Sequence, residues 1–135
     1  MPMIQIKYAT PTAAAAAGLD AALAARASQL AQQRLGKDPA LTAVLVERAD
    51  PAQWFCAGRS LAEAGLSGFW LDIRVTEGTN TKDEKAAFIA ETFAAFSDML
   101  GPLHPESYVH VVEARGDAYG YAGLTQERRY IAARP

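Results

Sequence analysis

The sequence is poor in residues that bind metals or form disulfides. Its 135 residues include a single cysteine, Cys56, and two histidines, His104 and His110. One cysteine cannot form a disulfide within the chain, and no cysteine and histidine stand at the short spacing typical of a structural metal site. The sequence therefore predicts no internal disulfide and no bound metal, and it contains no motif that indicates an organic cofactor.

Long apolar runs and clusters of positive charge are also missing. The formal net charge is −2 without a basic cluster, which argues against nucleic acid or an anionic membrane as a partner. No run approaches the roughly 20 apolar residues of a membrane-spanning helix. The N-terminus lacks the basic and apolar regions of a signal peptide, so the default expectation is a cytoplasmic location. With 50% hydrophobic residues, residues 1–135 are expected to form one domain with a substantial core.

A proline stands immediately after the initiator methionine, at the head of an alternating segment typical of a strand. Loss of Met1 would leave Pro2 with a free secondary amine, and an α-amino group titrates near about pH 8. Apolar or cationic surroundings disfavour the charged form, so this amine could act as a general base. The hypothesis requires removal of Met1, because an acylated nitrogen has no basic lone pair. The alternative is a proline without a catalytic role.

The chain contains an internal repeat, with copies at about 2–62 and 67–127. The shift that places Leu35-Gly36 on Leu100-Gly101 also places Ala57-Gly58 on Ala122-Gly123. It aligns Trp54 with Tyr119 and Pro2 with Ser67, as expected for a duplicated structural unit. Because Ser67 lies within the chain and has no free amine, chemistry at the N-terminal proline can occur only once per chain.

Each copy has the pattern strand, helix, strand. The first contains a strand over 3–8, an alanine-rich helix that opens at Pro11-Thr12 and ends at Gly36, and a strand over 41–47. The second contains a strand over 69–75, a helix from the Thr81 capping box to Leu100, and a strand over 107–113. A helix that crosses over makes its two flanking strands parallel. The predicted fold class is therefore α+β, with two tandem βαβ units, a four-stranded mixed sheet and both helices on one face.

The other face of this sheet is predicted to be uncovered in a single chain. Alternation along the third strand puts Trp70, Asp72 and Arg74 on one side. A face that carries large apolar groups is expected to be buried in an oligomer. Lys7 and Asp72 occupy repeat-related positions and could pair, with a solvated or interface charge pair as the plain interpretation.

These features resemble the tautomerase superfamily, which includes 4-oxalocrotonate tautomerase, 5-carboxymethyl-2-hydroxymuconate isomerase and macrophage migration inhibitory factor. The resemblance depends on Pro2, on Glu77-Gly78 leading into Asp83-Glu84-Lys85, and on the segments 50–58 and 117–123. Long members hold two βαβ units per chain, so the resemblance implies a homotrimer with sites at subunit boundaries. It also implies a cofactor-independent isomerase in which Pro2 moves a proton on a small enol or α-keto carboxylic acid.

The resemblance is weaker at the cation that binds the substrate carboxylate. The arginine that small tautomerases carry after the Glu-Gly pair is Thr79 here, and their strand arginine corresponds to Tyr108. Arg74 is the strand arginine nearest the expected site, and a guanidinium can bind both carboxylate oxygens. The alternatives are Arg115, Arg59 and Lys7 of a neighbouring subunit.

Four further residues are candidates by resemblance. His110 is similar in position to a tyrosine of superfamily dehalogenases and could donate a hydrogen bond to the substrate or to a water; the alternative is an interface histidine. Tyr108 lies on the same strand and is a candidate substrate contact. Trp54 and Tyr119 correspond to an aromatic wall near the proline, with an ordinary core role as the alternative.

Two other functions remain open. Superfamily members that hydrate or decarboxylate need an acidic residue to activate water, and Asp72 and Glu113 are the candidates. The opposing class is a non-catalytic trimer that keeps the scaffold for binding. That class is favoured if native protein retains Met1.

Overall fold

The computed structural model describes residues 2–12 and 18–134, and within them two strand–helix–strand units form a mixed sheet. In chain order the elements are β1 (Met3–Ala9), α1 (Leu19–Leu35), β2 (Ala43–Arg48), β3 (Phe55–Cys56), β4 (Arg59–Ser60), α2 (Leu61–Ala64), β5 (Gly68–Thr76), α3 (Lys82–Leu100), β6 (Tyr108–Ala114), β7 (Gly120–Tyr121), β8 (Leu124–Thr125) and α4 (Gln126–Ala132). The four predicted long strands and two predicted long helices are all present. Short hairpins and short helices follow each unit.

The sheet has the order β2-β1-β5-β6. Strands β1 and β2 are parallel, as are β5 and β6, while the central pair β1 and β5 is antiparallel. This arrangement confirms the predicted α+β class. It also joins the two units edge to edge, so Met3 lies opposite Arg74 and Gln5 opposite Asp72.

Local signals explain where the long helices begin and end. The Thr81 hydroxyl and the Glu84 carboxylate form the predicted capping box at the start of α3. Gly36 ends α1 in the left-handed conformation, with φ of 68°. Helix α1 begins at Leu19, later than predicted, and Pro11 and Thr12 are not helical. Residues 13–17, which were also predicted to belong to this helix, lie outside the described residues.

Within the described ranges, no helix is both long enough and apolar enough to cross a lipid bilayer. The longest helix, α3, instead lies against the sheet through a buried stripe that includes Phe88 and Phe96. This helix therefore uses its apolar residues for the core of the protein.

The core lies between the sheet and the two long helices, which cover the same face. Side chains of β1 and β5 alternate as predicted: Ile6 and Leu71 are fully buried against the helices. On the opposite face, Trp70 is 45% exposed and Tyr108 is 53% exposed. The prediction that one sheet face is uncovered in a single chain is confirmed.

The repeat extends to the geometry of the turns. Hairpin β3–β4 turns at Ala57 and Gly58, and hairpin β7–β8 turns at Ala122 and Gly123. Both alanines have φ of 51°, and both glycines also have positive φ. Positive φ at both positions is typical of a type I′ two-residue turn, which accounts for the glycine in each copy.

Candidate active site

A cavity of about 500 Å³ lies where β1 begins and β5 ends. Its lining includes Pro2 and Leu41 from the first unit and Asp72, Arg74, Tyr119 and Tyr121 from the second. We call it the Pro2 cavity. The antiparallel pairing of β1 with β5 makes this convergence possible, because it brings the start of one unit beside the end of the other unit's first strand.

Pro2 is buried and held by its backbone. Its carbonyl oxygen accepts a hydrogen bond from the Ala43 amide at 3.2 Å, which fixes the residue beside the start of β2. Burial disfavours a charged amine, so this position suits a neutral base once Pro2 is the first residue. Met1 lies outside the described residues.

Arg74 supplies a positive charge to the Pro2 cavity. Its side chain is exposed and makes no hydrogen bond or ion pair with side chains across residues 2–12 and 18–134. The alternative cations have local partners: Arg115 donates two hydrogen bonds to Asp117, at 3.1 and 2.8 Å, and Arg59 donates one to the Glu63 carbonyl at 3.0 Å. Arg74 is thus the better placed of these arginines to bind an anionic ligand there.

The Tyr119 hydroxyl connects the two central strands at the Pro2 cavity. It accepts a hydrogen bond from the Met3 amide at 3.1 Å and donates one to the Arg74 carbonyl at 3.3 Å. Burial raises the pKa of Tyr119 above its usual value. The phenol therefore stays protonated at neutral pH, and its two hydrogen bonds add to the backbone pairing that holds Met3 opposite Arg74.

Asp72 is a second charged residue in the Pro2 cavity. Its Oδ1 accepts a hydrogen bond from the Trp70 indole at 2.9 Å and lies 3.9 Å from Nδ1 of His110. Among the residues that the structure describes, it forms no ion pair with Lys7. Gln5 lies directly opposite Asp72, and Lys7 is its diagonal neighbour in the sheet. The suggested pair is therefore not formed within one chain, and an interface pair stays a prediction.

Three candidates lie outside the Pro2 cavity of one chain. Tyr108 pairs with Trp70, and the ring centroids are 5.7 Å apart. Trp70 precedes Arg74 by four residues, about 13 Å along an extended strand. His110 is exposed on the same sheet face. Trp54 lines a second cavity of about 320 Å³, which shares Gln5 and Asp72 with the Pro2 cavity. The predicted roles of these three residues stay predictions.

Glu113, the alternative acid for activating water, is engaged elsewhere. Its carboxylate forms an ion pair with Lys85 of α3. The hydrogen bond from Lys85 lowers the pKa of Glu113. Glu113 is not among the residues that line the Pro2 cavity, so Asp72 is the better placed of the two acids.

Two features escaped the sequence reasoning because each depends on long-range contacts. Leu41 and Tyr121 line the Pro2 cavity, although Leu41 belongs to no motif and Tyr121 was part of the segment 117–123 without a role of its own. The second feature is a cluster formed by Cys56, His104 and Glu106, whose metal-binding atoms all lie within 4.8 Å of one another. Cysteine and histidine spacing could not reveal it, because the fold brings together residues from different units.

Solved structures share this architecture over nearly the whole chain. Pt0534 inactivated by 2-oxo-3-pentynoate has a TM-score of 0.79 at 19% identity, with 94% of this chain and 98% of that chain covered. The wild-type fused 4-OT Q0, a symmetric trimer, has a TM-score of 0.72 at 23% identity, with coverages of 98% and 99%. The chain has the tautomerase superfamily fold in its fused, two-repeat form.

A further member of this fold with similar coverage is the macrophage migration inhibitory factor-like protein of Entamoeba histolytica. Its TM-score is 0.73 at 15% identity, and 92% of this chain and 97% of that chain are covered. No protein-family model and no curated protein matches the chain. The tautomerase fold is therefore established by structure, while the reaction has to be argued from the Pro2 cavity.

Proposed function

We propose that this chain is a cofactor-independent tautomerase or isomerase that moves a proton on a small enol or α-keto carboxylic acid. The observation that carries the proposal is that Pro2, Arg74 and Tyr119 share one cavity of about 500 Å³. A basic amine beside a cation is what proton abstraction next to a carboxylate requires.

Pro2 is the proposed general base. After removal of Met1, its neutral amine takes a proton from one carbon or oxygen of the substrate and returns it at another. Burial of Pro2 and the positive charge of Arg74 both disfavour the protonated amine. The neutral amine is the form that can accept a proton from the substrate, as a general base must.

Arg74 is the proposed partner of the substrate carboxylate. Its planar guanidinium can donate two parallel hydrogen bonds to the carboxylate oxygens. Binding there orients the acidic carbon toward Pro2. Tyr119 is a positioning residue in this scheme, because its hydroxyl already bonds Met3 and the Arg74 carbonyl.

A homotrimer is the proposed assembly. The uncovered sheet face, with Trp70 and Tyr108 about half exposed, needs a partner to be buried. Similarity to a trimeric fused 4-OT supports this number of subunits. In such an assembly, Trp54, Tyr108 or His110 of a neighbouring subunit could approach the Pro2 cavity. Sedimentation at micromolar concentration tests the assembly, and a stable monomer would contradict it.

Hydration or decarboxylation on the same scaffold is the second candidate. It is favoured by the position of Asp72, which lines the Pro2 cavity and could activate a water. Asp72→Asn distinguishes the two reactions: loss of most activity toward a hydration or decarboxylation substrate would favour this candidate, while retained ketonisation activity would favour tautomerisation.

The deciding experiment combines intact mass with an activity assay. The intact mass of the native protein is first measured by mass spectrometry to establish whether Met1 is absent. Ketonisation of phenylenolpyruvate and of 2-hydroxymuconate is then followed. Protein that lacks Met1 and accelerates ketonisation supports the proposal. Native protein that retains Met1 and has no activity would favour the non-catalytic binding trimer, because an acylated Pro2 cannot accept a proton.

A further inference from the structure

Three side chains with metal-binding atoms converge at the end of β1 opposite Pro2. Cys56 packs beside Ala9 at this end, and His104 and Glu106 belong to the segment between α3 and β6. The Cys56 sulfur, a His104 ring nitrogen and a Glu106 carboxylate oxygen all lie within 4.8 Å of one another. Zinc ligands lie about 2.0–2.3 Å from the ion, so shifts of about 1 Å would let one ion contact all three.

A bulge in the chain holds two of these donors in place. Ser67 pairs with Leu103, whereas Trp70, only three residues later, pairs with Tyr108. The chain must therefore bulge between Leu103 and Tyr108, and the His104 amide donates to the Ser67 carbonyl at 2.8 Å within this bulge. Bulges re-aim side chains and are frequent beside functional sites.

The third donor is held by a tight turn. Cys56 pairs with Arg59 across hairpin β3–β4, and its side chain is only 8% exposed. Glu106 is exposed. The cluster thus has a buried sulfur on one side and an opening to solvent on the other, which leaves a coordination position accessible to water or a ligand.

The donor types of the cluster suit a divalent cation. A thiolate, a carboxylate and a neutral imidazole together balance its charge. Sulfur and imidazole donors suit zinc and similar transition metals, whereas Mg²⁺ and Ca²⁺ prefer oxygen alone.

The cluster lies at the place that the repeat relates to the Pro2 cavity, and like that cavity it combines residues of both units. In the repeat, Cys56 corresponds to Tyr121 and Glu106 to Leu41, two residues that line the Pro2 cavity. The repeat partner of Pro2 is Ser67, whose carbonyl accepts a hydrogen bond from the His104 amide. Where the Pro2 cavity has Leu41 and Tyr121, the related place therefore has a carboxylate and a thiol.

We infer that Cys56, His104 and Glu106 form a binding site for one zinc-class divalent transition-metal ion. The inference is independent of the proposed tautomerase activity, since Pro2 takes no part in it. At His104, Nδ1 accepts a hydrogen bond from the Glu106 amide at 3.0 Å. A metal on this ring competes with that bond or changes its strength, so the Glu106 amide resonance reports on binding.

The test uses the full chain, treated with a chelator and then titrated with zinc sulfate by calorimetry. We expect one Zn²⁺ per chain and a shift of the Glu106 amide resonance. With Co²⁺ as the probe, we expect the near-ultraviolet absorption of a thiolate–cobalt bond. Since loss of a group that merely supports a ligand weakens metal affinity about 10–100-fold, Cys56→Ser, His104→Gln and Glu106→Gln should each weaken Zn²⁺ binding at least about tenfold.

His110→Gln is the matched control, because His110 is the other histidine and lies on the exposed sheet face. It should bind Zn²⁺ as tightly as wild type. If Cys56→Ser does not fold, the exposed Glu106→Gln variant decides the question. Absence of stoichiometric binding, unchanged affinity in Glu106→Gln, or equal weakening in His110→Gln would overturn the inference.

Discussion

Replacing Arg74 with alanine tests the proposed contact with the substrate carboxylate. A hydrogen bond to a charged group contributes about 1.5–3 kcal/mol. Arg74 is exposed, so competition from solvent places the loss near the lower end, about 1.5 kcal/mol, which corresponds to about a tenfold decrease in kcat/KM. Because the carboxylate binds Arg74 in both the ground state and the transition state, the change should appear mainly as a higher KM.

The assay is ketonisation of phenylenolpyruvate over a range of substrate concentrations, with sedimentation to verify assembly. Arg74→Lys should recover part of the loss, because it restores the charge but not the planar fork. Arg59→Ala is the matched control, since Arg59 lies on hairpin β3–β4 and contacts Glu63. An unchanged KM in a correctly assembled Arg74→Ala protein would refute the assignment and direct attention to Arg115 or Lys7.

Three further substitutions test the proposed general base and two hydrogen bonds that stabilise the fold. Pro2→Ala should lower the ketonisation rate at least about a hundredfold, the usual scale for a general base, with Pro51→Ala as the control that should retain full activity. Tyr8 donates a hydrogen bond to the Asp20 carboxylate, and burial raises the pKa of Tyr8 to about 12. The contribution of Tyr8 to stability should therefore be constant up to about pH 10 and fall between about pH 10 and 12, which urea unfolding of the wild type and of Tyr8→Phe can measure. Tyr8→Phe should lose about 1.5 kcal/mol at neutral pH and much of that alkaline decrease. Thr81→Ala removes the N-cap of α3 and should cost about 1 kcal/mol in the same assay, and no change would mean that the capping box is not needed.

Local chemistry made most of the fold predictable. Three features depend only on neighbours within a few residues: the alternation in β5, the capping box at Thr81 and the helix end at Gly36. Such local features can be predicted from the sequence alone. The start of α1 was less predictable, because an alanine-rich segment has no apolar periodicity with which to fix its first turn.

The candidate site was predictable only in part. Pro2 carries its own signal at the N-terminus, and Arg74 could be proposed because it is the strand arginine nearest the expected site. The pairing of β1 with β5 depends on residues far apart in sequence, and a strand register is set by packing between them. For this reason Lys7 and Asp72 could be suggested as a pair although the sheet places Trp70 opposite Lys7. The bridging role of the Tyr119 hydroxyl has no local signature.

The composition of the Pro2 cavity has a consequence for the maturation of the protein during synthesis. Pro2 leaves the ribosome first, whereas its neighbours Arg74 and Tyr119 are added much later. At about 5–20 residues per second, the chain from Pro2 to Tyr119 takes about 6–23 s to make. An aminopeptidase can reach Met1 throughout that interval, before the walls around Pro2 exist. The free amine is thus expected to form on the nascent chain, before Arg74 and Tyr119 complete the cavity around Pro2.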